Sequence, residues 1–311
     1  MPERENLRLL LWSAACLPGV HLPFFAAVED GLFAEHGLDV ELIESAPGPE
    51  RVRLLADGAG DLLLTATLYH QQALAEPSML PVRAVGVLHQ RSSLAAIVPE
   101  SSDITELADL AGRRLGAPVW GQMGWLAIEL QAALREAGAG PAAVADMSYP
   151  EAFAALASGD IDLVANLADL LPIDRQRAGV SLRAVPVGTD VYTSAVLAND
   201  SVPAEVVERF VAAASSSFDR QRADPTRGVA ALRARYPEVD AEVASGTWSA
   251  LEPYAFAGGR AVAPMSHETW ARTLRWNARA HGLAIPAIDH VVRTDRLTEV
   301  AGLAGVGQPQ P

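Results

Sequence analysis

The sequence predicts an α/β chain folded as two lobes with mostly parallel sheets, joined by a hinge of two crossing strands. Two observations carry this. One is a pattern repeated at a single offset: Glu35, Gly37, Leu55, Ala56, Gly58 and Asp61 recur 101 residues later as Glu136, Gly138, Leu156, Ala157, Gly159 and Asp162. Each copy reads as a helix closed by glycine, an extended strand, a second helix, then L-A-x-G-x-x-D. The other is the apolar run after each Asp. Leu62, Leu63 and Leu64 in one copy, and Leu163, Val164 and Ala165 in the other, are short and unbroken. Such runs suit strands buried on both faces of a parallel sheet. A doubled βαβ design gives two similar lobes, and the cleft between facing lobes is where small ligands bind. Two copies at so long a period do not make a solenoid.

The elements come in this order. Residues 7–15 read as the first strand and 21–36 as a helix, with Phe24, Phe25, Val28, Leu32 and Phe33 at helical spacing and Gly37 at its end. Residues 39–44 alternate as a strand, and 50–56 form a short helix after the loop at Pro47, Gly48 and Pro49. A strand at 62–66 precedes a helix at 67–75; strands come next at 82–88 and 94–98. Asp103 or Thr105 caps a short helix to Leu110. Residues 114–117 are a strand, and 123–137 a long helix ended by Gly138. The second copy supplies a strand at 144–148, a helix at 150–157 and a strand at 161–166. Residues 184–187 and 193–198 read as strands returning to the first lobe; 203–222 and 268–280 are helices in a mainly helical remainder. The expected division is a discontinuous first lobe, 1–98 plus 190–311, with a second lobe, 99–189, inserted. Residues 302–311 read as a polar tail.

Composition removes several function classes. Thirty-eight acidic against 24 basic residues give a net charge of −14, a field that opposes nucleic acid and anionic membranes. Every basic residue is arginine, so Schiff-base or P-loop lysine chemistry is excluded. One cysteine, Cys16, permits no internal disulfide. No Cys/His cluster has metal-ligand spacing, no cofactor is implied, and no run approaches the roughly 20 apolar residues of a membrane span. Arg8 followed by Leu9–Leu11, Trp12, Ser13, Ala14, Ala15 and Cys16 is superficially like a lipoprotein signal. Cleavage before Cys16 would delete the first strand, so the chain as numbered reads as cytoplasmic, or as periplasmic or cell-surface if an export signal lies elsewhere.

Four segments carry a resemblance. Residues 21–41, with Pro23, Phe24, Phe25, Gly31, Leu32, Phe33, Gly37 and Val40, resemble the opening of type II periplasmic solute-binding proteins, in particular the alkylsulfonate, nitrate and thiamine-pyrimidine-precursor group. Residues 55–64, 104–116 and 154–164 resemble three further elements of that group in the same order. The resemblance implies a Venus-flytrap protein that closes on a small organic ligand of sulfonate, sulfinate, carboxylate or pyrimidine class, with an ABC permease as a partner. A second resemblance is to aromatic sulfinate desulfinases built on this fold. These carry an essential cysteine after their first strand, in a context similar to residues 12–16; that role would fall to Cys16.

In open α/β sheets, ligands sit at the carboxyl ends of strands. That rule nominates Ser13, Cys16 and His21 after the first strand, and Thr65, Thr67, Tyr69 and His70 around the end of the third. Trp120, Gly121 and Gln122 precede the long helix, whose free N–H groups suit an anion. Asn166 and Asp169 come from the second lobe, and Tyr192, Thr193 and Ser194 from the return strand. Plainer roles stand beside these. Cys16 serves equally as a small buried apolar residue, and His21 and His70 as structural histidines. Gly121 and Gly124 can simply shape a turn, and Trp120 and Trp125 can pack a core. Asp61 and Asp162 read as turn braces, and Trp248, Tyr254, Trp270 and Trp276 as packing residues, with Trp248 or Tyr254 as the alternative cover of the cleft.

Overall fold

The computed structural model describes residues 4–14, 16–45, 48–75, 80–117, 124–262 and 265–298. The chain opens with β1 (Glu5–Trp12), α1 (Pro18–Glu29), α2 (Leu32–Glu35), β2 (Leu38–Ser45), α3 (Glu50–Ala56), β3 (Leu62–Ala66), α4 (Thr67–Leu74) and β4 (Val82–Val87). It then passes to β5 (Leu94–Pro99), a 3-10 turn at Leu107–Leu110, β6 (Arg114–Ala117), α5 (Trp125–Glu136), β7 (Ala143–Asp146), α6 (Tyr149–Ser158), β8 (Leu163–Leu167), a second 3-10 turn at Ala168–Leu170, α7 (Leu171–Ala178) and β9 (Leu182–Pro186). It returns through β10 (Ser194–Asn199), α8 (Ala204–Ala223), α9 (Pro225–Arg235), α10 (Ala241–Ala255), β11 (Met265–Ser266), α11 (His267–His281), α12 (Ile288–Val291), a 3-10 turn at Thr294–Arg296 and β12 (Leu297–Thr298).

Two five-stranded sheets result, ordered β2-β1-β3-β10-β4 and β7-β6-β8-β5-β9; β11 and β12 form a separate small pair. Both large sheets are mixed, because β10 lies antiparallel between β3 and β4, and β5 lies antiparallel between β8 and β9. The sheets are nonetheless mostly parallel, as expected: in each, four strands run the same way and one opposes them. A strand that crosses from one lobe to the other enters its new sheet against the direction of its neighbours. The expected boundary at 98 is moved. β5 and β9 both pair in the second sheet, so the crossings lie between β4 and β5 and between β9 and β10. The cause is legible in the residues: Leu94–Pro99 is apolar throughout and buried nearly throughout, so it fits the centre of either sheet.

Period-2 alternation divides each strand between two cores. Leu9, Leu11, Leu62 and Leu64 face α1, α8 and α10 in one cluster. Leu10, Leu63 and Leu197 face α3, α4 and α11 in another. The second sheet is likewise covered on both faces. The helix expected at 21–36 is two helices, because Gly31 takes a left-handed conformation at φ 71° and breaks the run. α7 is an addition to the expected elements; Pro172 in its first turn reads as a breaker in sequence but is well placed at a helix start.

The doubled motif builds the same brace in each lobe. Asp61 Oδ2 accepts from Arg8 N at 2.7 Å and Arg8 Nε at 3.2 Å, and Arg8 also reaches the Gly58 carbonyl at 3.0 Å. Asp162 Oδ2 accepts from Arg114 N at 2.7 Å and Arg114 Nε at 3.2 Å, and Arg114 reaches the Gly159 carbonyl at 2.8 Å. The side-chain hydrogen bond from Arg114 holds the Asp162 carboxyl below its ordinary range. Each brace pins the loop before one strand to the strand beside it. Asp162→Ala is expected to cost about 1–2 kcal/mol in urea denaturation, the range for losing charge-assisted bonds at a part-exposed site. Arg114→Ala should cost less, because the backbone N–H still reaches the carboxylate.

Candidate functional site

The carboxyl ends of β1 and β3, the start of antiparallel β10 and the residues after β4 and β8 converge on one cavity between the lobes. It holds about 710 Å³ of space not filled by atoms, including its open mouth. The first lobe contributes Trp12, Leu17, Gly19, Val20 and His21, then Leu64, Thr65, Leu88, His89, Thr193, Ser194 and, from α10, Thr247; Trp125, Leu167, Asp169 and Leu170 come from the second. The walls are mainly apolar, with indoles from both lobes. Gly19 is required by close approach: a Cβ there would stand 2.7 Å from the Thr247 carbonyl carbon. Its absence lets the start of α1 lie directly on α10. No side chain caps α1, and the first-turn residues Gly19 and Val20 line the cavity, so first-turn N–H donors are available there.

The polar groups are few and buried. His21 Nδ1 donates to the Leu17 carbonyl at 2.7 Å. Burial pushes this imidazole down to about 4, against the pull of that carbonyl. His21 is therefore neutral near pH 7, with Nε2 an acceptor. His89 bridges the lobes: its Nδ1 lies 2.5 Å from Ser194 Oγ and its Nε2 3.5 Å from Asp169 Oδ2. Burial pushes the Asp169 carboxyl up, but the charge and hydrogen bonding of His89, with the Ser93 hydroxyl, outweigh it and hold Asp169 below its ordinary range. An ionised Asp169 only accepts, so His89 Nε2 carries a proton on the side that faces it. Among the described residues, His89 Nε2, Asp169 Oδ1, Thr65 Oγ1 and Thr193 Oγ1 are buried without a hydrogen-bond partner. Such atoms gathered around one cavity are costly unless something fills them.

Two further features lie behind the walls. Arg51 is 1% exposed, and its Nε donates to Ser45 Oγ at 2.8 Å while one terminal nitrogen has no partner. Burial lowers its pKa to about 10, so it stays charged, and its charge reaches His21 and Tyr69. On the far side of the hinge, α5 packs on α11, where buried His281 Nε2 lies 3.3 Å from Glu129 Oε1.

Of the nominated residues, His21, Thr65, Asp169, Thr193 and Ser194 line the cavity. The rest of those described do not. Ser13 turns the chain at φ 25° after β1, its carbonyl accepting from Cys16 N and Leu17 N. Cys16 is exposed rather than buried. Thr67 spends its hydroxyl on the Tyr192 carbonyl at 2.8 Å, and Tyr192 stacks edge-on against Trp270 in the first-lobe core. His70 is fully buried against β4, with Nε2 3.3 Å from the Val82 carbonyl, and burial pushes its pKa down to about 4. Asn166 points to α7, donating to both oxygens of Asp174. Trp120, Gly121 and Gln122 lie outside the described residues. Sequence reasoning missed Trp12, His89 and Thr247; His89 was findable as the residue leaving β4 where the chain crosses lobes.

Residues 19–227 match the family model described as NMT1/THI5 like. The chain belongs to the NMT1/THI5-like family. The match runs from the start of α1 through both crossings, takes in the second sheet and all of the first except β1, and so includes most of the cavity wall. Over 109 residues this NMT1/THI5-like chain is 30% identical to a 4-amino-5-hydroxymethyl-2-methylpyrimidine phosphate synthase of Uromyces fabae, an alignment covering 35% of this chain and 30% of that protein. Solved structures show the same fold. The periplasmic aliphatic sulphonate binding protein SsuA of Escherichia coli superposes with a TM-score of 0.73 at 19% identity, over 100% of this chain and 97% of that one. SsuA of Xanthomonas axonopodis pv. citri, bound to MOPS, gives 0.61 at 16% identity over 96% and 99%. A mutant of DSZB with biphenyl-2-sulfinic acid gives 0.63 at 18% identity over 93% and 96%. The NMT1/THI5-like chain thus has the two-lobe fold of type II periplasmic binding proteins. Among its described residues, no helix is long and apolar enough to cross a membrane.

Proposed function

We propose that this chain is a solute receptor of the ABC-transporter type, closing its lobes on one small organic molecule and presenting it to a permease. The observation that carries this is the interlobe cavity itself: apolar walls with two indoles, and buried polar atoms left without partners among the described residues. A bound molecule with an unsaturated body and a polar end would satisfy both. The test is a melting-temperature screen of aliphatic and aromatic sulfonates, sulfinates, aromatic carboxylates and pyrimidines, with each compound recovered and assayed afterwards. A true ligand at 100 times its Kd adds about 2.7 kcal/mol of stability and is recovered unchanged. A panel with no stabilising member counts against the receptor.

A desulfinase-like activity is the second reading, favoured by the place of Cys16 just ahead of α1, whose first turn lines the cavity. It requires that a sulfinate be consumed, and that Cys16→Ser stop its consumption while leaving the fold intact.

A further inference from the structure

The geometry points to an uncharged, planar ligand with a carboxamide-type edge, an N–H donor beside an acceptor, docked on Asp169 Oδ1 and His89 Nε2. This rests on the solute-receptor reading and names the class of solute.

The cavity offers two adjacent polar groups that are not satisfied. Asp169 and His89 are 6% and 4% exposed, both line the cavity, and each keeps one atom without a partner. The contact between His89 Nε2 and Asp169 Oδ2 is long, at 3.5 Å, and uses only one carboxylate oxygen, so both groups keep capacity for a ligand. Asp169 presents Oδ1 as an acceptor, and beside it His89 presents an N–H held only by a long contact. Their complement is a donor next to an acceptor on one rigid edge. His21 adds a further acceptor, since its Nδ1 proton is committed to Leu17. Thr65 and Thr193 serve either role.

Anions fit this wall poorly. A carboxylate or sulfonate brings only acceptors, so even where it takes the first-turn N–H groups of α1 it leaves Asp169 Oδ1 unsatisfied and sets two negative groups together in a buried site. No arginine is among the described residues that line the cavity, and Arg51 lies behind the wall. The indoles of Trp12 and Trp125 and the leucines around them suit a flat ring.

The experiment compares benzamide, benzoate and benzenesulfonate, three probes that share a phenyl ring, by calorimetric titration and melting temperature at pH 7.5. Benzamide is expected to bind at least tenfold more tightly than either anion, and Asp169→Asn to erase that preference. Benzoate or benzenesulfonate binding the unaltered protein as tightly as benzamide overturns the inference, whatever Asp169→Asn does to folding. Absence of benzamide binding overturns it too. If another member of the wider panel then stabilises the protein, the receptor reading stands alone; if none does, both fall.

Discussion

Replacing Asp174 by asparagine is expected to stabilise the protein at pH 8 by about 1–3 kcal/mol and to leave it nearly unchanged at pH 5. Asp174 lies on α7 beneath β8, fully buried, and accepts from Asn166 Nδ2 at 3.0 and 2.8 Å. Burial pushes its pKa up from 3.8 to about 7, against the opposing pulls of Asn166 and Arg177. A carboxyl raised in the folded state holds a proton that the unfolded chain has already lost. Stability therefore falls as pH rises from about 4 to about 7 and then levels off. The shift is about three pH units, and at about 1.4 kcal/mol each the penalty at pH 8 has a ceiling of about 4 kcal/mol. Asp174→Asn removes the charge and its slope. It also brings an amide donor towards Asn166 Oδ1, which has no partner among the described residues. His21 and His70, both pushed down to about 4, tilt the curve the other way below pH 6.5, because the unfolded chain takes up protons that they refuse. The difference between variant and parent cancels that part. Urea denaturation at the two pH values reads it, and equal differences at pH 5 and pH 8 would refute the assignment.

Trp248→Ala is expected to cost about 3–5 kcal/mol, a fall of about 5–8 °C in melting temperature. Trp248 is 0% exposed, with the Phe218 ring centroid at 5.8 Å and that of Phe256 at 6.4 Å. Truncation leaves a void where α10 meets α8, and α1, α8 and α10 share that cluster. Trp248→Phe is the informative control. It leaves a smaller void and removes an indole N–H that has no partner, so most of the loss should be recovered. Equal losses for alanine and phenylalanine would show that the indole nitrogen, and not packing volume, is what matters.

The sequence was most legible where one physical cause dominates. Short apolar runs and glycines at helix ends located the strands and the doubled unit; Gly37 and Gly138 take φ 71° and 69°, as helix termini ask. The Arg8 and Arg114 partners of the braces were not found, because they sit ahead of the repeat and are 106 residues apart rather than 101. In the site, the rule that ligands meet strand ends selected the loops correctly but not the side chains. Thr65 faces the cavity, whereas Thr67, the first residue of α4, turns its hydroxyl back onto the hinge. Asn166 and Leu167 are adjacent on β8, and alternation sends only the second into the cavity. Ser194 and His89 pair through folding alone, since 105 residues separate them.

The interleaving of β10 between β3 and β4 has a consequence for synthesis on the ribosome. When β1 to β4 have emerged, their sheet lacks the strand that joins β3 to β4, and that strand lies more than a hundred residues downstream. The second lobe, continuous from β5 to β9, has all five of its strands before β10 appears. Vectorial synthesis therefore favours completion of the inserted lobe first, while the first lobe waits with two unpaired strand edges, the kind of surface that invites wrong partners. The nascent chain is most vulnerable in that interval, and slow translation through the second lobe would lengthen it.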